Sequence, residues 1–529
     1  MSLGVLHQGQ IIHQANFGYR DVVAQIQPNE NTSYVLGSLT KAFTAAMVGM
    51  LVEEKQLGWG TNLHDVFPEF RRHKNDPTSG ITISDLLSHR TGLPGCDGLW
   101  VLSNNRVALE RSQAVPILSY IPTVRPLRTA FVYNNFAYEV AGQVIEKLSG
   151  TKYATFLHDR LLEPLGMTRT FYTNVSHDDN IAKPYASLED GSLFELPSPL
   201  QGENVLMGAA GGIRSSVKDL LCLYKAFIEA ANLKFVYGHS SMANSLKQLT
   251  NLWNGMIGMP FPSLRENTYA LGWVRAQLPN IIAMEGPYIG PVKNPVIGEG
   301  SPSRLALYHQ GSIPGFIAFA ALFPETTSAV VVLSNSVGLS EGTKLVGQLL
   351  IEALFNPNVN PKDYIKLANS SAIHGASVLS DIMKQIERLR NVTEPTHSLR
   401  TYTGRYYNAI HNYFIDILEE GDKLRVSFMG LGSEVFDLYP YQADSFFWRM
   451  THNECAKRGR VTEFPMEYYI LKFGCLSTKD DEGQNHMGCL WWKHDSNLAG
   501  HGEIFRKSIT DVQHHGLHLH SLQQYMSQL

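Results

Sequence analysis

The chain has 529 residues, enough for roughly two to four domains, and its 44% apolar and 17% charged residues allow it to bury a full core. Its net charge of −4 argues against a partner, such as a nucleic acid or a membrane surface, that a basic face would hold. These values exclude a disordered chain and a strongly basic one.

The cysteines and the apolar runs bear on the compartment. The five cysteines are odd in number and scattered, without a Cys-x-x-Cys pair, so neither a zinc knuckle nor a disulfide framework is indicated. The first residues lack the basic and long apolar stretches of a secretory signal peptide. The most apolar stretch, residues 316–333, is interrupted by Pro-Glu-Thr-Thr, which breaks any transmembrane helix. The sequence therefore predicts a cytoplasmic protein.

Strand-like and helical patterns alternate along the first two thirds of the chain. Residues 3–36 alternate and turn as strands do, and residues 42–52 are apolar nearly all round, which predicts a central buried helix. Residues 60–230 are predicted to be mainly helical. Residues 305–335 predict two β runs joined by Pro-Glu-Thr-Thr, and residues 341–354 return to helix. This order predicts an α/β sandwich, an antiparallel sheet flanked by helices, with an inserted helical subdomain.

The composition changes near residue 356. A cluster of Asn and Pro at 356–361 begins a predicted linker, 356–399, that separates a domain of residues 1–355 from the rest. Short aromatic β runs from residue 402 onward, about eight of them, predict a small antiparallel barrel over 400–507. The His-rich tail, 508–529, is predicted to be flexible. Its histidines are interpreted as part of a flexible tail, and no metal site is predicted.

A serine and a lysine lie one helical turn apart at the start of the apolar helix. The spacing of Ser38-Leu-Thr-Lys41 puts hydroxyl and amine on one helical face. Lys41 can then deprotonate Ser38, and the helix N-terminus favours the negative charge that builds nearby. The alternative is a helix-capping serine followed by a surface lysine, because Ser is a preferred N-cap. A Ser-x-x-Lys alone occurs by chance in long chains, so the interpretation depends on two further sites.

The second site is Tyr133-Asn134-Asn135, directly before a predicted helix. A Tyr-x-Asn at a loop-to-helix junction can direct a phenol and an amide into a cleft. A nearby positive charge favours the phenolate, so Tyr133 could relay protons to and from a leaving group. Asn135 could hold Lys41 or a substrate carbonyl. The alternative is a packed tyrosine beside an asparagine N-cap, a role that either asparagine could fill.

The third site, His309-Gln310-Gly311-Ser312, ends a predicted strand. Gly311 lets a ligand approach the backbone closely, and a substrate could add to this strand edge by main-chain hydrogen bonds. The Ser312 N–H could pair with the Ser38 N–H as two oxyanion donors. A histidine such as His309 is, in isolation, more often structural.

Together these three sites, in this order and at these separations, resemble the serine β-lactamase-like family. That family includes class C β-lactamases, D,D-peptidases, D-aminopeptidases, certain esterases and acyltransferases. The resemblance covers residues 3–355 and is reinforced by the fingerprints Leu-Leu-Ser-His-Arg-Thr-Gly-Leu-Pro-Gly at 86–95, Glu-Pro-Leu-Gly-Met at 163–167 and Gly-Ala-Ala-Gly-Gly-Ile-Arg-Ser-Ser at 208–216. Residues 400–507 are similar to the lipocalin-like C-terminal domain of some D-stereospecific peptidases in this family.

The resemblance implies a role for each matching residue. Ser38 is the acylated nucleophile, while Lys41 and Tyr133 share the general acid and base work. Asn135 positions these groups. The edge residues complete the oxyanion hole and line the substrate strand: His309, Gly311 and Ser312. The resemblance implies no cofactor and no metal.

Two departures from the family pattern are visible. Penicillin-recognising members have Lys-Thr-Gly where this chain has His309-Gln-Gly, and their lysine helps to bind a substrate carboxylate. A histidine is mostly neutral at pH 7, so this clamp is weakened, which disfavours an efficient β-lactamase. Family members also carry a helix before the first strand, whereas here strand-like sequence begins almost at Met1. The helix that covers one face of the sheet is therefore expected to be missing.

The sequence predicts a serine hydrolase that forms an acyl-enzyme on Ser38 with a small-molecule ester, amide or thioester. Two alternatives stay open, an acyltransferase of secondary metabolism and a D-stereospecific aminopeptidase, because water and other acceptors compete for one acyl-enzyme. A non-enzymatic binding protein is disfavoured by the intact Ser38, Lys41 and Tyr133. No nucleic acid or membrane partner is predicted, and a homo-oligomer is left open.

Overall fold

The computed structural model of the protein describes most of the chain. The described residues are 1–72, 76–173, 179–237, 246–285, 288–355, 362–460, 464–476 and 486–507. They divide into two compact units, one formed by residues 1–95 with 110–376, the other by residues 96–109 with the chain from 377 onward. No helix among the described residues is both long enough and apolar enough to cross a membrane.

The first unit is built around a sheet of eight strands. In chain order they are β1 Ser2–His7, β2 Gln10–Asn16, β3 Ile257–Gly258, β4 Asn267–Tyr269, β5 Val274–Leu278, β6 Arg304–Ile313, β7 Phe316–Phe323 and β8 Ser328–Ser334. Their order across the sheet is β2-β1-β8-β7-β6-β5-β4-β3, with every neighbouring pair antiparallel. The predicted fold class is confirmed for this unit: an antiparallel sheet with helices.

Minor strands of two or three residues complete the sheet structure of this unit. They are Tyr34–Val35 paired with Arg214–Ser215, Asn280–Ile281 with Val296–Ile297, Tyr288–Ile289 with Val292–Lys293, and Tyr185–Ser187 with Leu193–Glu195 and Ser336–Val337. The first of these pairs lies immediately before the predicted nucleophile and fixes the approach of the chain to Gly37.

The helices differ widely in length. They are α1 Thr40–Glu53, α2 Leu63–Val66, α3 Ile83–Leu87, α4 Ala114–Tyr120, α5 Asn135–Ser149, α6 Tyr153–Leu157, α7 Gly208–Gly211, α8 Val217–Tyr237, α9 Leu249–Leu252, α10 Gly342–Phe355, α11 Tyr364–Leu389 and α12 His452–Lys457. A π-helical turn, His158–Leu162, continues α6. The 3₁₀ turns are Gly37–Leu39, Pro77–Gly80, Asp97–Leu99, Ser103–Asn105, Arg111–Gln113, Pro324–Thr326, Leu399–Thr401, Gly432–Glu434 and Met466–Tyr469.

Helices cover both faces of the central strands, in contrast to the expectation that one face of the sheet would lack its helix. This cover explains why these strands are apolar throughout. Strands β7 and β8 are buried along almost their whole length. On one face α10 packs so closely that a Cβ at Gly347 would overlap the Phe319 ring. On the other face α8 contacts β1, where a Cβ at Gly4 would lie 2.6 Å from Val217. Strands buried on both sides lose the alternation of apolar and polar residues that a half-exposed strand shows.

The sequence predicted too few strands over residues 305–335, two where the structure has three. The structure has three strands there, because the first run folds back at Pro314-Gly315 to give β6 and β7. Gly315 has a φ of +92°, a conformation that glycine adopts without strain. The apolar pattern continues through this tight turn, which conceals it in the sequence.

The second unit contains a closed antiparallel barrel of eight strands, as the aromatic β runs predicted. The strands are β9 Gly404–Tyr407, β10 Phe414–Glu420, β11 Lys423–Phe428, β12 Val435–Gln442, β13 Ser445–Trp448, β14 Ile470–Leu476, β15 Met487–Trp492 and β16 Glu503–Lys507. Rings from several strands are fully buried and pack together. The Phe428 and Trp492 ring centroids lie 4.7 Å apart, and those of Tyr406 and Phe473 lie 5.9 Å apart. Side chains thus fill the barrel, as in other small barrels.

Residues 96–109 interrupt the first unit in sequence but belong to the second unit, and this segment is called the excursion below. It packs against one end of the barrel. The Cys96 N–H donates to the Asp495 carboxylate at 2.7 Å, and the Ser103 N–H donates to the buried Glu434 carboxylate at 2.7 Å. The Asn104 N–H donates to the Arg458 carbonyl at 2.6 Å. These three partners follow β15, β11 and β13, so they lie in connections at the same end of the barrel. No pattern in the sequence indicates this docking.

The two compact units divide the chain between residues 376 and 377, and the domain bounds of 355 and 400 stay predictions. The boundary at 376 falls inside α11, which occupies much of the predicted linker. The Asn and Pro cluster at 356–361 and the predicted flexible tail, 508–529, lie outside the described residues.

Candidate active site

The predicted nucleophile lies on a tight turn at the entrance of a buried helix. Gly37, with φ +53°, opens the 3₁₀ turn Gly37–Leu39, and α1 begins at Thr40. Ser38 is half-buried, whereas Lys41, on the first turn of α1, is fully buried. The Lys41 Nζ lies 2.9 Å from the Ser38 Oγ. The spacing of three residues therefore brings amine and hydroxyl into contact, and the alternative of a surface lysine was wrong.

Lys41 is held by acceptors from two other elements. Its Nζ donates to the Asn135 Oδ1 at 2.8 Å and to the Ala210 carbonyl at 2.9 Å. Ala210 belongs to the Gly-Ala-Ala-Gly-Gly fingerprint, for which the sequence suggested no role. The Nζ also lies 4.9 Å from the centre of the Tyr133 ring and 5.3 Å from that of Tyr138. Aromatic faces and polar acceptors together stabilise a buried ammonium group.

The segment before α5 places a phenol on the nucleophile. The Tyr133 hydroxyl donates to the Ser38 Oγ at 2.7 Å. Asn134 is the N-cap, since its Oδ1 accepts from the Ala137 N–H at 2.9 Å. Asn135, the first residue of the helix, is therefore not needed as the cap and turns its amide oxygen to Lys41. The structure separates the roles of the two asparagines, which the sequence left undecided.

Among the described residues, no strand pairs with the edge of β6 beyond Tyr308, the edge at which a substrate strand was predicted. Strand β5 pairs with Arg304–Tyr308 and stops, whereas β7 pairs with β6 as far as Ile313. The Gln310 N–H donates to the Met284 sulfur at 3.4 Å, on the side away from β7. Because N–H directions repeat every two residues along a strand, the Ser312 N–H faces the same side. Ser312 itself is exposed.

Two glycines let the nucleophile turn and this edge approach each other. A Cβ at Gly311 would overlap the Leu36 carbonyl oxygen and would lie 3.2 Å from the Ser38 nitrogen. A Cβ at Gly37 would lie 2.7 Å from the Ser312 nitrogen. The nucleophile turn and the β6 edge are thus in close backbone contact, as an oxyanion hole built from the Ser38 and Ser312 amides would require.

His309 is buried behind this edge and does not present a charge to it. Its Nδ1 lies 2.6 Å from the Gln310 carbonyl oxygen, so this nitrogen carries the proton, and Nε2 accepts from the Tyr269 hydroxyl at 2.9 Å. Burial and then the Lys41 charge lower the pKa of His309 to about 3. The ring is neutral at pH 7. Position 309 therefore supplies no side-chain cation.

The comparisons with known proteins agree with this geometry. The sequence model of the Beta-lactamase family matches residues 1–354, and the model of a domain of unknown function, DUF3471, matches residues 389–473. The first match spans well over half of the chain, so the protein belongs to the β-lactamase family. Its function is of the serine hydrolase type found in that family.

Two fungal relatives cover most of the chain. The protein is 28% identical to the unguisins hydrolase ungD of Aspergillus violaceofuscus over 77% of this chain and 71% of the relative. It is also 28% identical to the unguisins hydrolase ungD' of Aspergillus campestris over 74% of this chain and 71% of the relative.

Among solved structures, the octameric penicillin-binding protein homologue from Pyrococcus abyssi superposes with a TM-score of 0.54 at 22% identity, covering 85% of this chain and 90% of that one. The penicillin-binding protein from Bacillus halodurans gives a TM-score of 0.50 at 20% identity, covering 67% and 96%. These likenesses support the fold.

Proposed function

We propose that this protein hydrolyses small-molecule esters or amides through an acyl-enzyme on Ser38. The observation that carries the proposal is the convergence of two groups that can exchange protons on one hydroxyl, with the Lys41 Nζ at 2.9 Å and the Tyr133 Oη at 2.7 Å from the Ser38 Oγ. Such a pair can remove the proton of a serine without a His–Asp couple. Membership in the β-lactamase family supports the same chemistry.

The acylation step follows from the positions of these groups. The substrate carbonyl oxygen enters between the N–H groups of Ser38 and Ser312, and the Ser38 Oγ forms a bond to the carbonyl carbon. The Oγ proton passes to the Lys41–Tyr133 pair, which reacts with one proton fewer than an ammonium beside a phenol, either as a neutral Lys41 amine or as a Tyr133 phenolate. Tyr133, the more exposed member, then donates a proton to the leaving oxygen or nitrogen as its bond to the carbonyl carbon breaks. Donors fixed in advance at the oxyanion account for much of the rate in such reactions.

Deacylation reverses these proton transfers with water in place of the leaving group. A water molecule gives a proton to the Lys41–Tyr133 pair while its oxygen bonds to the acyl carbon. The bond from carbon to the Ser38 Oγ breaks, and Oγ takes the proton back. The acid is released and the pair returns to its first state.

The neutral His309 bears on the substrate. A carboxylate in the substrate would find no cation at this position, since the ring is buried and its pKa is about 3. We infer that the preferred substrates lack a free carboxylate next to the scissile bond. The relatives named as unguisins hydrolases favour hydrolysis over acyl transfer for this chain.

The proposal is tested by trapping the acyl-enzyme and identifying its acceptor. The purified full chain is incubated with p-nitrophenyl acetate, alone and with added hydroxylamine, and with D- and L-alanine p-nitroanilides, and the products are analysed. Intact-mass and peptide mass spectrometry should find the acyl group on Ser38, with water as the main acceptor. A product formed mainly on the added amine would indicate an acyltransferase, and selective cleavage of the D-anilide would indicate an aminopeptidase. Absence of any acyl or fluorophosphonate adduct on Ser38 would refute the proposal.

Gly311→Ala tests the oxyanion arrangement. The added Cβ would overlap the Leu36 carbonyl oxygen, so β6 must move away from the nucleophile turn and separate the Ser38 and Ser312 amides. We expect kcat for p-nitrophenyl acetate to fall by about 10²–10³-fold, the usual cost of losing one oxyanion donor. Gly60→Ala, where no atom lies within 4 Å of the added Cβ, is the matched control and should keep full activity. Equal activity in the two variants would rule out this oxyanion hole.

Two further expectations from the sequence stay predictions. A cytoplasmic location is to be tested by fractionation of the source cells. Assembly into a homo-oligomer, as in the octameric penicillin-binding protein homologue from Pyrococcus abyssi, is to be tested by analytical ultracentrifugation of this chain.

A further inference from the structure

His89 lies directly behind Tyr133 and has no part in the chemistry described above. It comes from the 86–95 fingerprint, which the sequence singled out without assigning this histidine a role. The side chain is fully buried. Its backbone has φ +56°, a left-handed conformation that histidine adopts more often than most residues other than glycine. Backbone strain of this kind persists where the surrounding structure over-determines it, often at functional sites.

His89 contacts three consecutive residues of the segment that carries the phenol. Its carbonyl oxygen accepts from the Val132 N–H at 2.8 Å. Its ring lies against the Tyr133 ring, with 4.2 Å between centroids and 36° between planes. Its Nδ1 accepts from the Asn134 N–H at 3.1 Å. One residue thus fixes the backbone on both sides of Tyr133 and the plane of its ring.

The hydrogen bond to Asn134 defines the state of the imidazole. A backbone N–H can only donate, so Nδ1 is unprotonated and the proton is on Nε2. Within the described part of the chain Nε2 has no hydrogen-bond partner. It is enclosed by the rings of Tyr138 and Tyr269, whose centroids lie 5.1 and 4.8 Å from that of His89. Burial, reinforced by the charge of Lys41, lowers the pKa of His89 well below its usual value, so the ring stays neutral.

A neutral ring is what this position requires. A charged imidazole would stand close to the ammonium of Lys41 and would have no acceptor for the Asn134 N–H. Phenylalanine would keep the stack but lose the acceptor, whereas asparagine would keep an acceptor but lose the stack. Histidine provides both in one flat side chain.

We propose that His89 is a positioning residue that holds the Tyr133 hydroxyl at the Ser38 Oγ. The inference rests on the proposed function of Tyr133 and goes beyond it by assigning the source of its orientation. His89 does not touch the nucleophile or the substrate strand, so its effect on the rate passes through Tyr133. A histidine that only fills the core would affect stability without this dependence.

The test is a double-mutant cycle between positions 89 and 133. Release of p-nitrophenol from p-nitrophenyl acetate is measured for His89→Phe and His89→Asn, each in the Tyr133 background and in the Tyr133→Phe background. With Tyr133 present, we expect kcat to fall by about 10–100-fold, the cost of a displacement of about 1 Å, while KM stays unchanged. In the Tyr133→Phe background, the same substitutions should change kcat by less than about 2-fold, since coupled residues do not act additively. An equal fold-loss in both backgrounds would overturn the proposal.

Two measurements keep the test decisive. Melting temperatures establish that each compared variant is folded. If only one of the two substitutions at position 89 gives a folded protein, that substitution alone completes the double-mutant cycle. In the unsubstituted protein, ¹⁵N-labelled histidine should show His89 as a neutral ring protonated on Nε2, and a proton on Nδ1 would also overturn the proposal. Failure of the proposed function itself would look different, because the unsubstituted protein would then form no adduct on Ser38.

Discussion

Ser38→Ala is expected to remove turnover and leave the fold intact. In enzymes of this kind, loss of the nucleophile costs on the order of 10⁶ in kcat, because the covalent route is closed and only binding and oxyanion donors remain. The structure should tolerate the change. Lys41 keeps the Asn135 and Ala210 oxygens as acceptors, and the side chain at position 38 is small and only half-buried.

The measurement is steady-state hydrolysis of p-nitrophenyl acetate together with fluorophosphonate labelling and thermal unfolding. Ser112→Ala, at an exposed serine, is the matched control and should behave as the unsubstituted protein does. Normal turnover by Ser38→Ala would place the nucleophile elsewhere. A large fall in melting temperature would mean that Ser38 supports the turn rather than the chemistry.

Tyr133→Phe is expected to lower the rate by about 10²–10⁴-fold, the usual contribution of a positioned acid–base group. The substitution removes one oxygen and keeps the ring that stacks on His89 and faces Lys41. The effect should therefore appear in kcat rather than in stability. The rate loss should be smaller for a p-nitrophenyl ester, whose leaving group needs little protonation, than for an alkyl ester of the same acid.

The pH dependence of kcat/KM gives a second measure of the same group. In Tyr133→Phe, the limb of the pH–rate profile that reports the titration of the Lys41–Tyr133 pair should shift or disappear. Tyr224→Phe is the control, because the Tyr224 hydroxyl is buried and has no hydrogen-bond partner among the described residues. A pH profile identical to that of the unsubstituted protein would remove Tyr133 from the mechanism.

The parts of the site that sequence could predict are those set by local periodicity. The contact of Ser38 with Lys41 follows from their separation of three residues, which is about one helical turn. The order of the three sites along the chain can be read from the sequence alone. The choice between Asn134 and Asn135 could not be made, because it depends on which residue starts α5, and helix ends are the least certain feature of a sequence pattern. His89 was missed because a ring stack is a tertiary contact without a sequence period.

The fold shows the same division between local and distant information. The closed barrel and the sheet follow from alternating and aromatic runs. The turn at Pro314-Gly315 was missed because apolar residues continue through it. The docking of residues 96–109 could not be predicted from the sequence, because its partners are distant in the chain. Glu434 comes 331 residues after Ser103, and Asp495 comes 399 residues after Cys96.

The course of residues 96–109 has a consequence for anyone who wishes to work with a shortened protein. Because this excursion belongs to the second unit, no single cut yields two intact halves. A fragment ending at residue 376 would keep the loop but lose the carboxylates that accept from Cys96 and Ser103, and a fragment starting at 377 would have a barrel whose end lacks its cover. Because the two units are interleaved in the sequence, recombination could exchange either unit only if residues 96–109 stayed together with the second unit.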